Sequence, residues 1–185
     1  MVRNFKPDEK CGKHLKFRDL IECSVTFKTL EISNLPRSKD SYAALEALAV
    51  NILDPVINKF KKIELTYGFA SLELIRKIKK NIAPHLDQHA AHETNSRRKL
   101  ICSRLGAAAD FKVDSVNSLE VAQWLVSHCP FDRLYLYDNH RPLHVSYGPD
   151  HARSIVLMNK ISATGKSIPR NIKIEKFMEL NRLEI

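Results

Sequence analysis

Two periods organise the hydrophobic and polar positions of this chain. At three- and four-residue spacing, Phe17, Leu20 and Ile21 share one face and predict a short helix over Phe17–Ser24. Tyr42, Leu45, Leu48, Ile52 and Val56 continue that period over a longer helix, which Ser38 or Asp40 can cap and Pro55 should kink or break. Ile63–Tyr67 instead alternates residue by residue, as a half-buried strand does, and Gly68 ends it. Ser71 then opens a basic helix, Leu72–Lys80.

From Asn81 to Ser103 the periodicity is lost, and His85, His89 and His92 fall in this stretch. It reads as an irregular excursion across the fold, and loops of this length tend to carry function. Beyond it, Ala107–Val113 predicts a strand and Ser118–His128 an amphipathic helix. Arg133–Tyr137 and Leu143–Tyr147 predict an antiparallel pair around the turn Asp138–Pro142, and Ser154–Met158 a further strand. The chain from Lys160 is basic, holds Gly165 and Pro169, and predicts a wrap over the domain before a short helix from about Ile174. Strands interleaved with helices but joined by hairpins predict an α+β fold, a small, mostly antiparallel sheet flanked by helices. Residues 1–159 read as one domain and 160–185 as a basic extension packing on it.

Composition narrows the picture mainly through charge. The 185 residues, 44% hydrophobic and 28% charged, are enough for one domain with a core. The formal net charge of +9 favours anionic partners such as a nucleotide, nucleic acid or an acidic cell-wall polymer. The first residues carry no apolar leader pattern, and nowhere do 18 apolar residues run together, so a cytoplasmic protein without a membrane partner is expected. Cys11, Cys23, Cys102 and Cys129 show no paired spacing and are expected as free thiols.

Three segments carry a resemblance: Tyr67-Gly-Phe-Ala-Ser71, Ile101-Cys-Ser-Arg-Leu-Gly-Ala-Ala-Ala-Asp110, and Phe131-Asp-Arg-Leu-Tyr-Leu-Tyr137 followed by Pro142-Leu-His-Val-Ser146. In order and spacing they resemble the zinc D-alanyl-D-alanine carboxypeptidases, their phage endolysin relatives and the hedgehog signalling domain. The resemblance implies a hedgehog-type fold, with Asp110 and His144 as zinc ligands on adjacent strands. It also exposes three substitutions. Ser103 stands where the first zinc histidine is expected, Ala70 where an arginine would steady a substrate carboxylate, and Tyr137 where a glutamate would act as general base. A phenol with a pKa of about 10 is badly matched to that last task. Release of D-alanine from a D-Ala-D-Ala peptide is therefore not expected.

Nearby residues offer replacements. His89, His92 and Cys102 are candidates for the third metal ligand, with Glu93 beside the two histidines. Tyr137, Asp138, His140 and Glu93 are the candidate catalytic groups. Tyr67, Arg97, Arg98, Arg104 and Arg141 are candidates for binding, since guanidinium groups grip phosphate and aromatic rings stack on bases. Three functions stay open at this level: a peptidase-like cleft that binds or processes an anionic, phosphate-bearing ligand, a zinc peptidoglycan hydrolase of endolysin type, and a catalytically silent interaction domain.

Overall fold

The computed structural model describes residues 5–30, 32–78, 82–160 and 167–181. Lys79, Lys80 and Asn81, and Gly165 in the expected C-terminal wrap, lie outside them. The amino-terminal layer holds α1 (Phe17–Ile21), α2 (Val25–Leu30) and α3 (Lys39–Leu48). Ser38 caps α3, its hydroxyl accepting from the Asp40 N–H. The expected disturbance at Pro55 takes the form of a π-helical turn over Ala49–Leu53 that leads into α4 (Asp54–Phe60). Proline lacks the N–H that would close an ordinary turn, and the wider turn lets the helix continue past it.

Six strands form one sheet: β1 (Ile63–Tyr67), β2 (Ala107–Val113), β3 (Arg133–Leu136), β4 (Leu143–Tyr147), β5 (Ser154–Lys160) and β6 (Ser167–Ile172), in the order β1-β2-β4-β3-β5-β6. Helix α5 (Leu72–Lys77) follows β1, α6 (Ser118–His128) joins β2 to β3, and α7 (Ile174–Met178) ends the described chain. The fold is α+β as the periodicities predict, but the sheet is mixed rather than mostly antiparallel, because β5 pairs parallel to β3. The chain reverses after β4 beside Gly148 and Pro149, yet β3 already fills the edge next to β4. β5 must step over β3, and it then runs in the same direction. The region expected to wrap the domain instead supplies β6, paired antiparallel to β5 at the sheet edge.

The two faces of the sheet differ in chemistry. Ala109, Phe111, Leu134, Leu136, Leu143, Val145, Ile155 and Leu157 form one face and are buried under α3 and α6, where they join Leu45, Leu48, Ile52, Leu119, Ala122 and Leu125 in a single core. The opposite face carries Asp110, His144 and Tyr135, one pleat out of phase. Residues 82–106, which lack regular structure, cross over this second face. No helix among the described residues is long and apolar enough to cross a membrane.

Candidate metal centre

Strand register assembles the first part of the site. Asp110 on β2 lies opposite His144 on β4, His144 opposite Tyr135 on β3, and Asp110 opposite Tyr67 on β1, where a bulge shifts the register. Four polar side chains thus form a row across the sheet. His144 Nδ1 lies 2.8 Å from Asp110 Oδ1.

The excursion supplies the third group. His89 Nε2 lies 3.2 Å from Asp110 Oδ1 and 3.2 Å from His144 Nδ1. The remaining ring nitrogen, Nδ1, donates to the Gly68 carbonyl at 2.8 Å, so Nε2 is the nitrogen that faces the cluster: protonated it donates to Asp110, and deprotonated it offers a lone pair to an ion. The His89 carbonyl in turn accepts from the Ala70 N–H at 2.9 Å. Ala70 is itself fully buried. Asn34 secures the other side of the same turn, donating to the carbonyls of Ile21 and Phe69 and accepting from the Ser71 N–H.

His89 follows a residue held in an uncommon conformation, Gln88 at φ 60°. Three partners hold it there, of which Asp132 and Ser146 are buried. Gln88 Nε2 donates to Asp132 Oδ2 at 2.8 Å and to the Leu105 carbonyl at 2.7 Å, and Ser146 Oγ donates to Gln88 Oε1 at 2.8 Å. Asp132 Oδ1 accepts from the Ala152 N–H at 2.8 Å. This set ties the loop to β4 two residues beyond His144. Nothing in the residue types of Gln88, Asp132 or Ser146 marks them as site residues in sequence.

Electrostatics follow from this geometry. Burial alone would raise the Asp110 pKa, but the charge of His89 and hydrogen bonds from both imidazoles outweigh it and hold the carboxyl well below the usual range. For His89, burial favours the neutral ring, and Asp110 reverses this and raises the pKa. The phenols stay protonated: burial, helped by the charges of Asp110 and Asp87, pushes Tyr137 up to about 12 and Tyr67 further still.

The other expected site residues are distributed differently. His92 is not in the cluster: its Nε2 accepts from the Gly106 N–H at 3.3 Å. Cys102 points its thiol at the His85 carbonyl, 3.5 Å away, and Ser103 is solvent-exposed. Glu93 is buried beneath α3, where one oxygen accepts from the Arg37 N–H, the Ser38 N–H and the Ser41 hydroxyl. All three contacts position the helix, and they leave that oxygen no part in proton transfer. Asp138 accepts from the backbone of His140 and Arg141, while the His140 side chain is exposed. Arg97 and Arg98 are exposed between the bridged residues Thr94 and Leu100. Tyr67 stacks at a tilt on His89, their ring centres 4.3 Å apart. Arg104 donates to the Tyr135 hydroxyl at 3.2 Å and to the Leu86 carbonyl, and Tyr135 sets its ring edge-on to His144. The Arg141 guanidinium lies 4.5 Å over the Tyr137 ring.

His89, Asp110 and His144 could hold a metal ion. Their edges of 2.8, 3.2 and 3.2 Å approach the separation of about 3.3 Å between neighbouring ligands at zinc-like bond lengths of about 2.0–2.1 Å in a tetrahedron. No family model matches the chain, and neither does any curated protein or any solved structure, so its geometry alone carries the functional reading.

Proposed function

We propose that the protein is a metal-dependent hydrolase on a hedgehog-type fold, with zinc held by His89, Asp110 and His144. One observation carries this reading: three mutually close ligand atoms of zinc-binding type, one of them fixed in its tautomer by the Gly68 carbonyl. Structural zinc sites close with four protein ligands, whereas three leave a position for water or substrate. Zinc bound there would polarise a substrate oxygen and acidify water.

The chain's own contribution is positioning and hydrogen bonding. Asp110 and the two imidazoles would hold the ion, and the turn at Gly68 keeps His89 oriented. With a pKa near 12, Tyr137 donates a hydrogen bond at neutral pH and cannot serve as the base. It would serve to steady an oxygen on which negative charge develops. The same observation favours a second reading, a metal-stabilised binding cleft without turnover.

Metal analysis tests the proposal. Purified protein is expected to carry one zinc per chain, which His89→Ala and Asp110→Ala each lose while His92→Ala and Cys102→Ala retain it. Equal zinc content in all four variants would sink the assignment. Chelator-sensitive hydrolysis of ester or amide substrates by the loaded protein would then separate the enzyme from the silent cleft.

A further inference from the structure

Two guanidinium groups flank the metal cluster, each seated on a tyrosine of the same sheet face. Arg104 reaches the Tyr135 hydroxyl at 3.2 Å, and the ring of Tyr135 lies 4.9 Å from that of His144. Arg141 lies over Tyr137, which follows β3 two residues after Tyr135 and therefore projects to the same side. Tyr137 is close enough to Asp110 for that charge to shift its ionisation. Among the described residues, neither arginine forms an ion pair with a carboxylate. Arg18 and Arg133 do, with Asp8 and Asp150, and Arg153 is satisfied by the carbonyls of Val126 and Cys129. Among the described residues, Arg104 and Arg141 are therefore charged groups set at the site without a carboxylate ion pair.

A charge count identifies what they would take. A divalent ion with two neutral imidazoles and one carboxylate leaves one positive charge, and the two guanidinium groups add two more. Nearby acids offset this only in part: Asp87 accepts from the backbone of Ala83 and His89, and Asp138 from that of His140 and Arg141. A carboxylate brings one negative charge, whereas a phosphate monoester brings about 1.5 to 2 at neutral pH and three acceptor oxygens for forked donors.

We infer that Arg104 and Arg141, carried on Tyr135 and Tyr137, form a subsite for the phosphate group of a phosphomonoester substrate beside the His89-Asp110-His144 centre. This rests on the hydrolase reading for its placement next to a reacting group, but binding of the anion can be measured apart from turnover.

The test is calorimetric titration of the metal-replete protein with phenyl phosphate, with benzoate as the carboxylate of similar ring size, at two salt concentrations. Phenyl phosphate is expected to bind more tightly than benzoate. Arg104→Ala and Arg141→Ala should each weaken phenyl phosphate at least about tenfold, with zinc content unchanged, and Arg104→Lys should restore part of the loss. The paired change Arg97→Ala/Arg98→Ala should leave affinity within about twofold. Arg141 is exposed and its removal leaves the core intact, so this variant decides the matter even if Arg104→Ala loosens the loop. Tighter binding of benzoate, or equal losses in the Arg141→Ala and Arg97→Ala/Arg98→Ala proteins, would overturn the subsite. Absence of zinc from the wild type, with arginine-dependent phosphate binding retained, would overturn the metal reading and leave the subsite standing.

Discussion

Outside the His89-Asp110-His144 cluster, the thiols and phenols that shift do so chiefly through burial. Cys11 shows the effect away from the cluster: it is 1% exposed, and desolvation pushes its thiol from 9.0 up to about 12. The sign of the resulting linkage is fixed. Below pH 9 the thiol is neutral in both folded and unfolded chains, whereas above it only the unfolded chain ionises freely, so stability is lost as pH rises from about 9 towards 12. At pH 10.5 this single group should cost about 2 kcal/mol, from about 1.4 kcal/mol per unit of pKa difference. Cys11→Ala should therefore lose about that much less stability than the wild type between pH 8 and 10.5, measured by urea unfolding. Equal losses in both proteins would show that the folded thiol ionises normally.

Among the secondary elements, strand periodicity was the clearest message in the sequence. Ile63–Tyr67 and Ala107–Val113 both appear as expected; Ile63, Leu65, Ala109, Phe111 and Val113 share the core face, while a bulge turns Tyr67 to the site and Ala107–Ala109 are all buried. β6 carries no such signal: it lies at an edge, contains Pro169 and shows no alternation. α2 buries no residue and so carries no apolar stripe. The site was legible to the same degree. The resemblance pairs Asp110 with His144 on adjacent strands, but spacing does not choose among His89, His92 and Cys102. Positive φ angles at Gln88 and Ala91 break the helical geometry that would have set His89 and His92 side by side. The buried set of Gln88, Asp132 and Ser146 does the placing instead, and Gly148 is needed beside it: a Cβ there would lie 2.6 Å from Gln88 Nε2 and 2.8 Å from Asp132 Oδ2. Gln88→Ala should weaken zinc affinity about 10- to 100-fold while costing the metal-free protein about 1–3 kcal/mol. An unchanged zinc affinity alongside lowered stability would restrict Gln88 to a structural role.

At the scale of the whole molecule, the sheet separates two kinds of support. One face is sealed by α3 and α6 in a continuous apolar core, while the other is crossed by an irregular segment held largely by hydrogen bonds from Gln88, His89 and Arg104. Free energies of local opening should differ accordingly, with the segment opening well before the sheet. Two of the three ligands lie on the sheet and the third on the segment, so a bound ion would join parts of the chain that otherwise open independently. Chelation should speed tryptic cleavage at Arg97, Arg98 and Lys99 and raise amide exchange over residues 82–106, with exchange in β2 and β4 little changed. Uniform acceleration across the sheet, or none in the segment, would contradict this. An ion held by the loop-borne histidine would thus be a latch as well as a reagent: falling metal supply would unfasten one surface of the protein while its core stayed folded.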